Sequence, residues 1–124
     1  MKNFNPVCWF DINVSNLEKS KVFYQKVLNT KLTDLPLEWG KQTTFPFAEQ
    51  GANATGALVE KPDWSASGNN TVIYFSSEDC ITEEERVEKA GGKLIRKKTA
   101  IGEFGFISLF LDLDGNTIGL HSRK

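Results

Sequence analysis

From Val7 to Val14 the chain alternates: Phe10, Ile12 and Val14 against Trp9, Asp11 and Asn13. A period of two predicts a strand with one apolar face and one mixed face. The period then lengthens. Leu17, Phe23 or Tyr24, Val27 and Leu28 form a stripe at helical spacing, with Lys19, Lys21, Gln25 and Lys26 mostly opposite. Ser15-Asn16-Leu17-Glu18 fits a capping box, and Asn29 suits a helix stop. Three short strand candidates follow: Lys31 to Leu35, Thr43 to Phe47 with Pro46 marking an edge or bulge, and Thr55 to Val59. Glu60 to Asn70 is rich in Pro, Ser, Gly and Asn and reads as a linker.

The second half repeats the order. Thr71 to Phe75 reads as a strand, and Thr82-Glu83-Glu84-Glu85 as a second capping box on a helix stopped by Gly91-Gly92. Lys93 to Lys97, Phe104 to Leu111 and Thr117 to Ser122 read as strands. Asp112-Leu113-Asp114-Gly115-Asn116 makes the turn between the last two. Trp9 and Val72 are 63 positions apart, and so are Gly56 and Gly119. A repeated βαβββ order with a constant offset predicts an internal duplication, with modules at about 5–60 and 71–122 of one 1–124 domain.

Composition narrows the function. With 40% hydrophobic and 25% charged residues, the chain is neither disordered nor fibrous. Fifteen basic and sixteen acidic side chains leave no basic excess for a nucleic acid, and no apolar run is long enough to span a bilayer. The N-terminus lacks an apolar signal segment, so a cytoplasmic address is expected. Cys8 and Cys80 form no CxxC pair and read as free thiols. A single histidine, His121, cannot build a three-histidine zinc site.

Two stretches carry a family resemblance. Asp11-Ile12-Asn13-Val14-Ser15-Asn16-Leu17-Glu18-Lys19-Ser20 with Phe23-Tyr24 is similar to the V-x-D-L-x-x-S-x-x-FY opening of the vicinal oxygen chelate superfamily. That group includes glyoxalase I, bleomycin-resistance proteins and extradiol dioxygenases. Asp112-Leu113-Asp114-Gly115-Asn116-Thr117-Ile118 resembles its D-P-D-G-N-x-I-E turn, with Leu113 in place of proline. The resemblance implies an α+β fold of tandem βαβββ modules, each curling its sheet into a cup with the helix on the outer face. It also implies a homodimer.

The resemblance places family metal ligands at positions corresponding to Trp9, Gly56, Val72 and Gly119. None of these supplies a metal-binding side chain, so neither a metal nor any other cofactor is expected. Strand parity turns Trp9, Asp11 and Asn13 inward, with Val72, Tyr74, Gly119 and His121 on the inner side of the second module. Trp9, Asn13, Gly56, Val72, Tyr74 and Gly119 are therefore the candidate ligand-binding set, with the two glycines expected to leave room for a flat apolar or aromatic small molecule. Asp11 and His121 are the candidate acid–base residues, Asp11 alternatively an anchor for a ligand amine, with Glu60 and Glu103 as further carboxylates. Trp39 and Trp64 are candidates for a lid, an interface or docking on the core. Three functions stay open: metal-independent binding of a small hydrophobic molecule, a glyoxalase-related lyase, isomerase or dioxygenase with a displaced site, and a protein-interaction domain.

Overall fold

The computed structural model describes residues 5–48, 50–62 and 67–124. Contacts group the chain into two units, Met1–Lys21 with Thr30–Ala66, and Val22–Asn29 with Ser67–Lys124.

The first unit holds β1 (Trp9–Asn13), the start of α1 (Leu17–Leu28), β2 (Thr33–Asp34), a 3-10 turn at Leu37–Trp39, β3 (Lys41–Thr44) and β4 (Thr55–Glu60). Its sheet order is β1-β4-β3-β2, with β1 and β4 parallel and the other pairs antiparallel. The second unit repeats the scheme with β5 (Ile73–Ser76), α2 (Cys80–Val87), β6 (Lys93–Ala100), β7 (Phe106–Leu111) and β8 (Thr117–Ser122), in the order β5-β8-β7-β6. β5 and β8 are the parallel pair. The α+β tandem expected from the sequence is thus present. β3 begins and ends earlier than its apolar pattern suggested, and β6 runs three residues longer. Residues Gly102–Phe104 form a 3-10 turn rather than the start of β7.

Both helix starts differ from the capping boxes. Asn16 caps α1, its Oδ1 accepting from the Lys19 N–H at 3.0 Å, and Glu60 Oε1 accepts from the Leu17 N–H at 2.7 Å. Asp79 caps α2 by accepting from the Ile81 N–H at 3.1 Å, so Thr82 lies inside the helix. Any short side chain bearing an acceptor serves a cap. The choice among adjacent Ser, Asn and Asp falls to the geometry of the entering chain. Asn29 adopts a φ of 49° just past the end of α1.

The alternation of β1 sets the core of the first unit. The Phe10 ring lies 5.8 Å from that of buried Phe45, tilted by 40°, and Ile12, Leu58 and Thr43 lie side by side, all buried. In the second unit Phe23, Tyr24 and Val27 of α1 are fully buried. Phe23 lies 6.1 Å from Phe110, and Tyr24 lies 6.3 Å from Phe75. Each such aromatic contributes roughly 1.5–3 kcal/mol by leaving water. Arg86 of α2 donates to the Val27 carbonyl at 3.2 Å, satisfying one of the carbonyls left open at the end of α1.

Candidate functional site

In the first unit, Trp9 and Asp11 come together. The indole Nε1–H donates to Asp11 Oδ1 at 3.0 Å, and both side chains are exposed, Trp9 at 42%. Two-residue spacing on a strand puts them on one face, and the hydrogen bond fixes the indole plane. Asn13 follows on the same face and is half-buried. Ala57, the neighbour of Asp11, and Val59, the neighbour of Asn13, are buried on that face.

Gly56 is not on that face. It pairs with Phe10, and a Cβ added there would overlap the Phe10 carbonyl oxygen and ring. It lies on the core side, giving Phe10 room, and leaves no space beside Trp9. The expectation that both glycines open the inner face is corrected here for Gly56. Gly119 pairs with Tyr74, and a Cβ at Gly119 would meet the Tyr74 ring. Both glycines carry the same offset in sequence, but Phe10 and Tyr74, their partners, are 64 positions apart rather than 63. One residue of slip reverses the face of a strand position.

In the second unit, Phe75 meets Tyr24, so Tyr74 faces away from the helix, with its ring over Gly119 and 46% exposed. Val72 precedes β5 and is half-buried. His121, two residues beyond Gly119, approaches the Phe104 carbonyl at 2.6 Å through Nε2. A carbonyl only accepts, so Nε2 carries the hydrogen and Nδ1 of the neutral ring is the acceptor. Arg123 donates to the Glu103 carbonyl at 3.4 Å. Together these bonds tie the Gly102–Phe104 turn to the end of β8, leaving the Phe104 ring exposed.

The other candidates resolve more simply. Glu60, besides capping α1, lies 3.4 Å from Lys41 Nζ, and the Leu17 N–H holds its carboxyl below the usual carboxylate range. Its role is structural. Cys8 is exposed and Cys80 buried, both free thiols. Trp39 is exposed in its 3-10 turn instead of docking on the core, and Trp64 lies outside the described residues.

The positions where the family resemblance puts metal ligands do not fit an ion. The Trp9 N–H is a donor already committed to Asp11, the two glycines have no side chain, and Val72 is a hydrocarbon. Among the described residues, no three His, Cys, Asp or Glu side chains cluster to hold a metal.

One linked pair was not foreseen from the sequence. Asp112 Oδ1 accepts from the backbone N–H groups of Asp114 and Asn116, each at 2.9 Å, and Oδ2 accepts from Asn116 Nδ2 at 2.9 Å. Oδ2 also accepts from the Tyr24 hydroxyl at 2.7 Å. Burial, and then the negative charge of Asp112, push the Tyr24 phenol well above its ordinary range, so it stays protonated and donates. The Phe23-Tyr24 end of one family motif thus meets the Asp112–Asn116 turn of the other.

Solved structures share the fold. At 23% identity, a hypothetical protein from S. aureus covers 98% of this chain and 96% of its own, with a TM-score of 0.72. A glyoxalase/bleomycin resistance protein from Albidiferax ferrireducens T118 reaches 0.75 at 17% identity, over 97% of this chain and all of its own. TnmS3, an antibiotic binding protein from Streptomyces sp. CB03234, matches at 25% identity over the full length of both chains, with a TM-score of 0.70. No curated protein matches. The model of the Glyoxalase/Bleomycin resistance protein/Dioxygenase superfamily matches residues 7–120, a span that contains both βαβββ repeats and both motifs, and the chain belongs to that superfamily.

Proposed function

We propose that this protein binds a small hydrophobic or aromatic molecule without a metal ion, on the sheet face that carries Trp9. The carrying observation is that an exposed indole, fixed by Asp11, stands where the family resemblance would put a metal ligand. A large rigid ring gives contact area at little entropic cost, and ligand sites are commonly apolar surfaces with a few polar groups. Tyr74, over Gly119 on the helix-free face of the second unit, offers an exposed ring of the same kind within its own unit. The antibiotic-binding neighbour at 25% identity is compatible with it. No helix among the described residues is long and apolar enough to cross a membrane. A cytoplasmic homodimer is the setting we propose for this activity.

The test pairs metal analysis with ligand screening. Protein purified without chelator is assayed for bound metal, then for thermal shifts with divalent ions and with a panel of aromatic compounds. The expected result is no stoichiometric metal, no shift with ions, and saturable stabilisation by at least one aromatic compound that Trp9→Ala abolishes. At a ligand concentration of 100 times Kd, that stabilisation is about 2.7 kcal/mol. Stoichiometric metal, or a panel that gives no binder, would overturn the proposal.

A further inference from the structure

Resting on the reading that Trp9 contacts a ligand, we infer that the site selects organic cations: a flat aromatic or alkylated ammonium, with its positive charge over the indole and beside the Asp11 carboxylate. Two features of the first unit carry this. The first is the state of the indole. Its only hydrogen-bond donor is occupied by Asp11 Oδ1 at 3.0 Å, so the ring offers its π-face and not its N–H. A carboxylate at the N–H edge also polarises the ring toward a more negative face. Cations are held over such faces, and tryptophan holds them best.

The second feature is the charge of the surroundings. Strand pairing puts Asn13 of β1, Gln42 and Thr44 of β3, and Thr55, Ala57 and Val59 of β4 on the same face. All are neutral. Lys41 alternates to the other face and is paired with Glu60. Asp11 forms no ion pair among the described residues, so its charge is not cancelled. It spends one oxygen on the indole and has the other available. A neutral aromatic ligand would draw nothing from that charge, whereas a cationic one gains from both ring and carboxylate.

The experiment follows the Trp9 indole ¹H–¹⁵N resonance, assigned by its loss in Trp9→Phe. Two probes of one shape are titrated at about pH 8: N-methylquinolinium, which is cationic, and quinoline, which is neutral there. The cation is expected to bind about tenfold more tightly at low salt, equivalent to about 1.4 kcal/mol. The ratio should shrink in 0.5 M salt, where the Debye length falls to roughly 4 Å. Asp11→Asn keeps an acceptor for the indole N–H and removes the charge. It should lower the ratio to about threefold, the share that the indole face alone supplies. Equal affinities in the unsubstituted protein would overturn the cation selectivity and leave aromatic binding intact. A ratio that stays near tenfold in Asp11→Asn would overturn the role of Asp11. If neither probe moves the resonance into the millimolar range, both this inference and the binding role of Trp9 fall.

Discussion

Replacing Tyr24 by phenylalanine removes one oxygen atom and tests the link between the two motifs. In the native chain the phenol donates to Asp112 Oδ2 at 2.7 Å, and Asp112 is itself only 5% exposed. The remaining three donors come from its own turn. A hydrogen bond to a charged group contributes about 1.5–3 kcal/mol. A domain of this length has an unfolding entropy of about 0.26 kcal/mol/K, so a loss of about 2 kcal/mol lowers Tm by about 8 °C. The pH dependence gives a second signature. The folded pKa of Tyr24 is raised, so its contribution is complete below the unfolded value of 10.0 and is lost as pH rises through the folded one. Above pH 10 the unfolded chain gains stability by ionising, at about 1.4 kcal/mol per pH unit. The gap in Tm between the native protein and Tyr24→Phe should therefore be widest near neutrality and close by about 5 °C at pH 11, the equivalent of roughly 1.4 kcal/mol. Thermal unfolding followed by circular dichroism at several pH values reads both effects. An unchanged Tm at pH 7, or a gap that stays constant between about pH 9 and 11, would refute the reasoning.

Gly56→Ala drives a methyl into the Phe10 carbonyl, which cannot move without breaking the β1–β4 pairing, and should cost about 3 kcal/mol. Gly119→Ala meets the Tyr74 ring first, an exposed side chain that can swing aside, and should cost about 1 kcal/mol; chemical denaturation gives both, and equal losses would contradict the face assignment. The lowered pKa of Glu60 makes its contribution complete above its ordinary value of 4.5 and lost as pH falls through the folded value. Glu60→Gln should accordingly flatten the acid limb of the stability profile, and an unchanged limb would mean the Leu17 cap does not depend on charge.

The order of elements was legible because periodicity survives in a single sequence: two in β1, near 3.6 in α1. The Asp112–Asn116 turn was legible from its residue types, and Gly115 takes a φ of 78° there. Long-range pairing was not. Tyr24 and Asp112 are 88 positions apart, and nothing local in either motif announces the other. Glu60 read as a loop carboxylate because its partner, the open N–H of Leu17, is 43 positions away. The face of Gly56 was misjudged because the constant offset of 63 was carried across strands whose mutual register differs by one residue. Trp9 and Asp11 could be placed on one face by parity, whereas the indole's choice of hydrogen-bond partner required coordinates.

The boundary between the two units does not follow the boundary between the two repeats. It runs through α1, after Lys21, and assigns Val22–Asn29 to the unit built from the second repeat. The second repeat by itself would lack this stretch of about two helical turns, with Phe23 and Tyr24 in it. A fragment cut at the linker would carry the sheet of β5 to β8 but would leave Phe110, Phe75 and Asp112 without Phe23 and Tyr24. The repeat visible in the sequence and the unit of packing are different lengths of chain.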